Sequence, residues 1–258
     1  MDREIQQQFG AVAERYVISA VHARGVDLPV LVDAAALAPG ERALDLGTAT
    51  GHTAFALAPR ARSVIGVDLT TEMLGHATRL GKERAVGNVY FAQADVRQLP
   101  FPNAAFDVVT SRFSAHHYVD PELVVAEVAR VLRPGGRFIL SDSVAPPDAF
   151  LDTFINTVEL LRDRSHVRDH SVRQWQTMLA DAGLANEVVF AWDIVLDFEE
   201  WVHRMNTPPL AVAMLRSLLT EAPPDARATF QVSEHPALSF ALKAAVIRAK
   251  PASGANSS

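Results

Sequence analysis

Along the first 145 residues, short apolar runs closed by small or polar residues alternate with stretches whose apolar positions recur every three or four residues. The runs predict strands over residues 42–46, 63–69, 89–94, 106–111 and 137–141. Such β/α alternation calls for a parallel sheet with helices on its faces. The opening segment, residues 5–22, has no β pattern and predicts helices, and residues 30–37 predict a short apolar helix closed by Pro39 and Gly40. The helix before the fifth strand is the best marked. Asp120 stands as N-cap, Pro121 at the first helical position and Glu122 at the positive end. Val124, Val128 and Val131 form its inward stripe, with Pro134-Gly135-Gly136 as the stop.

After Val144 the pattern loosens. A helix is expected over 148–162, a polar link over 163–171, and a helix over 172–182 ending at Gly183. A strand near 187–196 follows, then helices over 198–205 and 210–219 and a last strand over 240–249. Trp175, Trp192, Trp201, Met205 and Met214 are expected in core or pocket wall. The tail, 251–258, has nothing to bury and is expected to be disordered.

Two of the strands end in chemistry. Ala43-Leu44-Asp45-Leu46 runs into the small-residue turn Gly47-Thr48-Ala49-Thr50-Gly51, and Val64-Ile65-Gly66-Val67 ends on Asp68. A strand, a tight turn, a helix and an acid closing the next strand is how a doubly wound sheet holds an adenosine-containing cofactor. The small residues fall two apart, not in the G-x-G-x-x-G spacing of a dinucleotide site. The Lys-Ser or Lys-Thr of a P-loop is absent.

Composition narrows the classes further. A chain of 258 residues with 49% hydrophobic content can bury one large core. A net charge of −6 and the lack of any Lys/Arg run argue against a nucleic-acid partner. No apolar run is long enough for a membrane span, so no membrane insertion and a cytoplasmic location are expected. With no cysteine, catalytic thiols and thiolate metal sites are excluded.

The turn resembles motif I of the class I S-adenosylmethionine (SAM) methyltransferases, D-x-G-x-G-x-G, with Ala49 replacing the middle glycine. More closely, the chain is similar to the UbiE-type, small-molecule branch of that family over nearly its whole length. The carriers include Phe9-Gly10-Ala11 through Tyr16, the turn, Asp68 with Met73-Leu74, and Gln93-Ala94-Asp95-Val96 with Leu99-Pro100-Phe101-Pro102. Phe106-Asp107-Val108-Val109 and Arg130-Val131-Leu132-Arg133-Pro134-Gly135-Gly136 complete the set.

The resemblance implies an α/β, Rossmann-like seven-stranded doubly wound sheet with N-terminal helices and a helical insertion before the last strands. It divides one domain into a helical lid (1–40), a SAM-binding core (41–145), an acceptor cap (146–235), the last strand (237–250) and the tail. It also implies a SAM-dependent methyltransferase acting at O or C of a small-molecule acceptor (phenol, quinone or natural product), releasing S-adenosylhomocysteine (SAH). Two alternatives stay open: a SAM-binding protein using the cofactor for another reaction such as a cyclisation, and a non-catalytic SAM- or SAH-binding protein. A homodimer is also left open.

For the cofactor, the resemblance points to Gly47, Thr48, Ala49 and Gly51 in the turn, and to Asp68 on the ribose hydroxyls. Leu69 and Met73 fall on adenine, with Asp95 and the Val96 N–H at its edge. Asp95 could equally serve as a helix N-cap. Tyr16 on a lid helix, Arg112, and Asp45 ordering the loop complete the set. On the acceptor side, Ser111-Arg112-Phe113-Ser114-Ala115-His116-His117-Tyr118 follows the fourth strand and should face the cleft. His116 or His117 is the candidate general base or acceptor orienter, an ordinary histidine titrating near pH 6.5, with a histidine capping or bonding the loop backbone as the structural alternative. Phe113 is a candidate wall. His166 and His170, spaced i, i+4, would share a face if helical, and belong either to a simply solvated loop or to a polar lip over the acceptor. No metal set is expected from them, because no His-Glu-x-x-His pattern exists.

Overall fold

The computed structural model describes Gln6 and residues 25–252. Helix α1 (Asp27–Ala35) leads into β1 (Arg42–Leu46), α2 (His52–Leu57), β2 (Ser63–Asp68), α3 (Thr71–Glu83) and β3 (Val89–Gln93). Then come β4 (Phe106–Arg112), α4 (Pro121–Val131), β5 (Leu132–Ser143), α5 (Ala149–Arg162), α6 (Val172–Asp181) and β6 (Leu184–Asp197). Helices α7 (Phe198–Arg204), α8 (Pro209–Thr220) and α9 (Pro224–Thr229) precede β7 (Ser239–Pro251).

The seven strands form one sheet in the order β3-β2-β1-β4-β5-β7-β6. Strands β1 to β5 are parallel, and β7 enters antiparallel between β5 and β6. The chain winds outward from β1 to β3 and then crosses to β4, so a crevice opens where β1 and β4 end side by side. The central strands are buried on both faces, which is why they read as continuous apolar runs. On one face Leu44, Leu46, Val109 and Phe138 pack with Val124 and Val128 of α4. On the other, Ala43, Val64 and Ile139 pack with Leu31 of α1 and Leu57 of α2. A further core, with Phe154, Val158, Trp201, Leu215, Phe230 and Phe240, joins the cap helices to the far ends of β6 and β7.

Several expectations change. Helix α1 belongs to the sheet's helix layer and not to a lid, because Leu31 and Ala35 are fully buried against the core. Pro134-Gly135-Gly136 does not stop α4, which ends at Val131 and passes straight into β5. The register with β4 jumps from Phe106↔Leu132 to Val108↔Arg137, so these residues bulge out between two paired segments. Asp120 holds the N-cap position of α4, yet its side chain accepts no capping bond; it lies 3.8 Å from Arg97 Nη1. Met214 lies on the outer face of α8 and is half exposed. Helix α9 was not foreseen, being only six residues long. Strand β7 takes in Pro251, expected in the tail. The expected helices of 5–22, Tyr16 and residues 253–258 lie outside the described residues. Among the described residues, no helix is long and apolar enough to cross a membrane.

Candidate active site

The turn between β1 and α2 is coiled by three left-handed residues, Gly47 (φ 60°), Ala49 (φ 45°) and Gly51 (φ 84°). A side chain at Gly47 would start 2.4 Å from Ser114 Oγ, and one at Gly51 would start 2.8 Å from Phe91 Cζ. Ala49 alone carries a Cβ in this region, at a cost of about 1–2 kcal/mol. Its N–H donates to Asp68 Oδ2 at 2.9 Å, which holds it there. Beneath the turn, Asp45 accepts Thr48 Oγ1 and Thr110 Oγ1, each at 2.7 Å. Burial lifts its carboxyl to about 6. Asp45 therefore braces the loop from below and does not line the cavity, so it is removed from the cofactor contacts.

A cavity of about 1010 Å³ opens at the ends of β1, β2 and β4. Asp68 lies in its wall with Oδ1 accepting the Thr70 N–H at 2.8 Å and Oδ2 the Ala49 N–H. Each oxygen keeps a second lone pair. Burial pushes this carboxyl up, while those backbone bonds pull the other way. Leu69, Met73 and Val96 add apolar wall. Asp95 is forked by Arg97, with Nη2 at 2.7 Å and Nε at 3.0 Å, and also accepts the Arg97 N–H. Arg97 holds it below the usual carboxylate range. A turn, not a helix, follows Asp95, so the N-cap reading fails. Arg112 lines the cavity while its Nε and Nη2 grip buried Asp27 at 2.6 and 2.9 Å. Ser141 also donates to Asp27, so this ion pair ties α1 to β4 and β5.

The two histidines separate. His117 lines this larger cavity, and His116 lines a second one of about 490 Å³ under the cap. Their ring centres are 4.1 Å apart. His117 Nδ1 donates to the Ser165 carbonyl at 2.9 Å, which fixes its tautomer. Burial, then neighbouring His116, depresses its pKa to about 4, so it is neutral. His116 Nδ1 donates to Asp142 Oδ1 at 2.7 Å. Burial alone would lower its pKa, but Asp142, then Asp169 and Glu159, raise it to about 9. Phe113 is shared by the two cavities, and Trp201 and Leu242 add apolar wall to the second.

The link 163–171 is not helical. His166 and His170 thus share no face, and neither lines either cavity. His166 is buried, its Nε2 on Asn156 Oδ1 at 3.0 Å, and burial with nearby His116 depresses its pKa to about 2. His170 is half-buried, edge-on to Trp175 at 5.4 Å. Instead of a solvated lip, the link buries Asp163, Ser165 and Asp169. The Val167 and Arg168 N–H groups donate to the His116 carbonyl, clamping the dyad from behind.

His116, Asp142 and Asp169 have the spacing of a metal centre, with ligand atoms within 4.8 Å of one another. Asp142, however, already accepts His116 and Ser143 N–H (2.9 Å) at Oδ1 and Ala115 N–H (2.7 Å) at Oδ2. A carboxylate so fully occupied orients a histidine better than it binds a cation.

A methyltransferase domain model matches residues 44–140, the span from β1 into β5. YcgJ of Bacillus subtilis, an uncharacterized methyltransferase, is 39% identical over 243 residues, covering 93% of this chain and 96% of its own. Its crystal structure superposes with a TM-score of 0.86 at 38% identity, over 88% of this chain and 99% of that one. The chain belongs to the class I SAM-dependent methyltransferases, UbiE type. Within the family, the demethylmenaquinone methyltransferase of Thermus thermophilus is 38% identical over 54% of this chain and 66% of its own length. The 27-O-demethylrifamycin SV methyltransferase of Amycolatopsis mediterranei is 34% identical over 58% and 56% respectively. SAM is the cofactor of this methyltransferase, and the larger cavity suits it. It offers an acid with open lone pairs, an apolar flank, and a turn so close to Ser114 that only glycine fits at Gly47.

Sequence reasoning missed the carboxylates behind the methyltransferase's histidines. Asp142 interrupts the apolar end of β5 as Asp45 and Asp68 do in β1 and β2, a signal that was readable. Glu159 sits one turn after Ile155 on the inward face of α5, an acid in an apolar stripe. Asp169 gave no such signal.

Proposed function

We propose that the larger cavity holds SAM and the smaller one a small-molecule acceptor, methylated at oxygen or carbon with release of SAH. The observation that carries this reading is the His116–Asp142 pair opening on a second cavity that adjoins the first at Phe113. Bound SAM supplies a methyl group already activated on a sulfonium, so the protein has mainly to align, exclude water and manage one proton.

In this reading Asp68 accepts the ribose hydroxyls with its open lone pairs, a charge-assisted pair. Leu69 and Met73 cover adenine, while Asp95 and the Val96 N–H meet its edge. Arg112, held by Asp27, and the backbone from Gly47 to Gly51 face the amino-acid end. His116 keeps Nδ1–H on Asp142 and takes the acceptor's proton at Nε2. At about 9, its pKa lies far closer to a phenol's, about 10, than an ordinary histidine's does. His117, neutral and fixed on Ser165, is a wall between the cavities. The printed names of the two family members above point to small-molecule acceptors.

The test is SAH production, followed by mass spectrometry, across a panel of phenols, quinols and hydroxylated polycyclic compounds. SAH with a methylated product from at least one class is expected. SAM binding without methylation of any acceptor, while protein-bound SAM is consumed in another product, would overturn it.

A further inference from the structure

His116, Ser143 and Glu159 line the acceptor cavity together with Arg162 and Arg204, and Phe113, Trp201 and Leu242 add apolar wall. Two of these polar residues have work within the protein: His116 is bonded to Asp142, and Ser143 Oγ donates to Asp169 at 2.6 Å. Glu159 is different. Only 4% of it is exposed, and its Oε1 is buried with no hydrogen-bond partner. Its Oε2 lies 3.7 Å from Arg162 Nη1, beyond hydrogen-bond reach. Arg162 is turned elsewhere, with Nε donating to the Trp201 carbonyl at 3.2 Å and the guanidinium stacked 4.9 Å from the Trp201 ring.

A buried carboxylate oxygen without a donor is costly, and such atoms call for a specific explanation. Burial pushes the Glu159 carboxyl up, while Arg162, then His116 and Arg204, pull it the other way. What its Oε1 lacks is a hydrogen-bond donor. Glu159 lines the same cavity as the proton-accepting His116.

Resting on the acceptor reading above, we propose that Glu159 anchors the acceptor. The acceptor would then carry a second hydrogen-bond donor, a hydroxyl or amino group, beside the atom that is methylated. A monofunctional phenol would leave Glu159 unsatisfied. A vicinal diol of an aromatic ring, or an aminophenol, satisfies both groups at once while its ring packs on Phe113 and Trp201.

The test uses catechol and guaiacol, which share ring and nucleophilic hydroxyl but differ in whether the second oxygen carries a proton. Binding to the full-length protein saturated with SAH is read by quenching of tryptophan emission, Trp201 being a wall residue. Catechol is expected to bind at least about tenfold more tightly than guaiacol, the value of one hydrogen bond to a charged group. In Glu159→Gln that preference falls to about threefold or less, with SAH affinity unchanged. The variant also melts about 2–4 °C higher, because a buried carboxylate oxygen without a donor gives way to a neutral amide. Equal or undetectable binding of the pair by the native protein overturns the proposal. So does an unchanged preference in Glu159→Gln, or a fall in its melting temperature, which would mark the carboxylate as structural. Native protein that fails to bind SAH would strike the methyltransferase reading first and this one with it.

Discussion

The two cavities meet at Phe113 but are built by different rules. The larger takes its shape from backbone: a turn of left-handed residues, strand ends, and acids whose oxygens hold neighbouring N–H groups. The smaller takes its shape from Phe113 just after β4, from side chains of β5, α5, β6, α7 and β7, and from a histidine clamped by a distant loop. A cofactor common to a family can be met by a backbone cradle, which tolerates little change. An acceptor peculiar to one enzyme is met by side chains that can be exchanged without moving the sheet. Binding of SAM and choice of acceptor should thus be separable by mutation.

The sharpest separation is expected from His116→Gln. Turnover should fall about 10³-fold, as for loss of a general base, with SAH affinity within about threefold of native by calorimetry. In the native enzyme, log kcat/KM should climb with pH and level off above about 9, where His116 is unprotonated. Stability runs the other way. The folded pKa of His116 is raised from 6.5, so its pairing with Asp142 contributes fully below about pH 6.5 and is lost as pH rises through about 9. Melting temperatures of native and His116→Gln should therefore converge between pH 6 and 10 (approximate limits set by those two values). A rate profile falling above pH 9 would show that the protonated ring is the active form.

Next in size, Asp27→Ala strips the fork from buried Arg112 and should cost about 3–5 kcal/mol of stability in denaturant unfolding. Gly47→Ala attacks the cradle directly. Its methyl meets Ser114 at 2.4 Å in a left-handed conformation, so a loss of about 2 kcal/mol and markedly weaker SAH binding are expected. The smallest effect is Ala49→Gly, which relieves the one left-handed residue of the turn that is not glycine and should stabilise by up to about 1 kcal/mol. A destabilised Ala49→Gly would mean that the alanine methyl packs usefully.

The same difference decides what was legible in the sequence. The strands, the turn, Asp68 and Asp95 lie within short segments whose period and punctuation report local geometry, and the sheet follows from their alternation. The proposed acceptor site depends on residues 26 and 48 positions apart, His116 with Asp142 and His117 with Ser165, which no local pattern relates. His166 and His170 misled for that reason: helical spacing means nothing in a segment stitched by Asn156 and the His116 carbonyl into a compact link. Asp45, by contrast, orders the loop as its place in the motif suggests, accepting the Thr48 and Thr110 hydroxyls beneath the turn.

Calorimetric titration of SAH into native protein, Asp68→Ala and His116→Gln tests the division of labour most directly. The account predicts a loss of about 100-fold or more in Asp68→Ala, where two charge-assisted hydrogen bonds disappear, and near-native affinity in His116→Gln. Equal affinities in all three, or a loss in His116→Gln that matches Asp68→Ala, would contradict it.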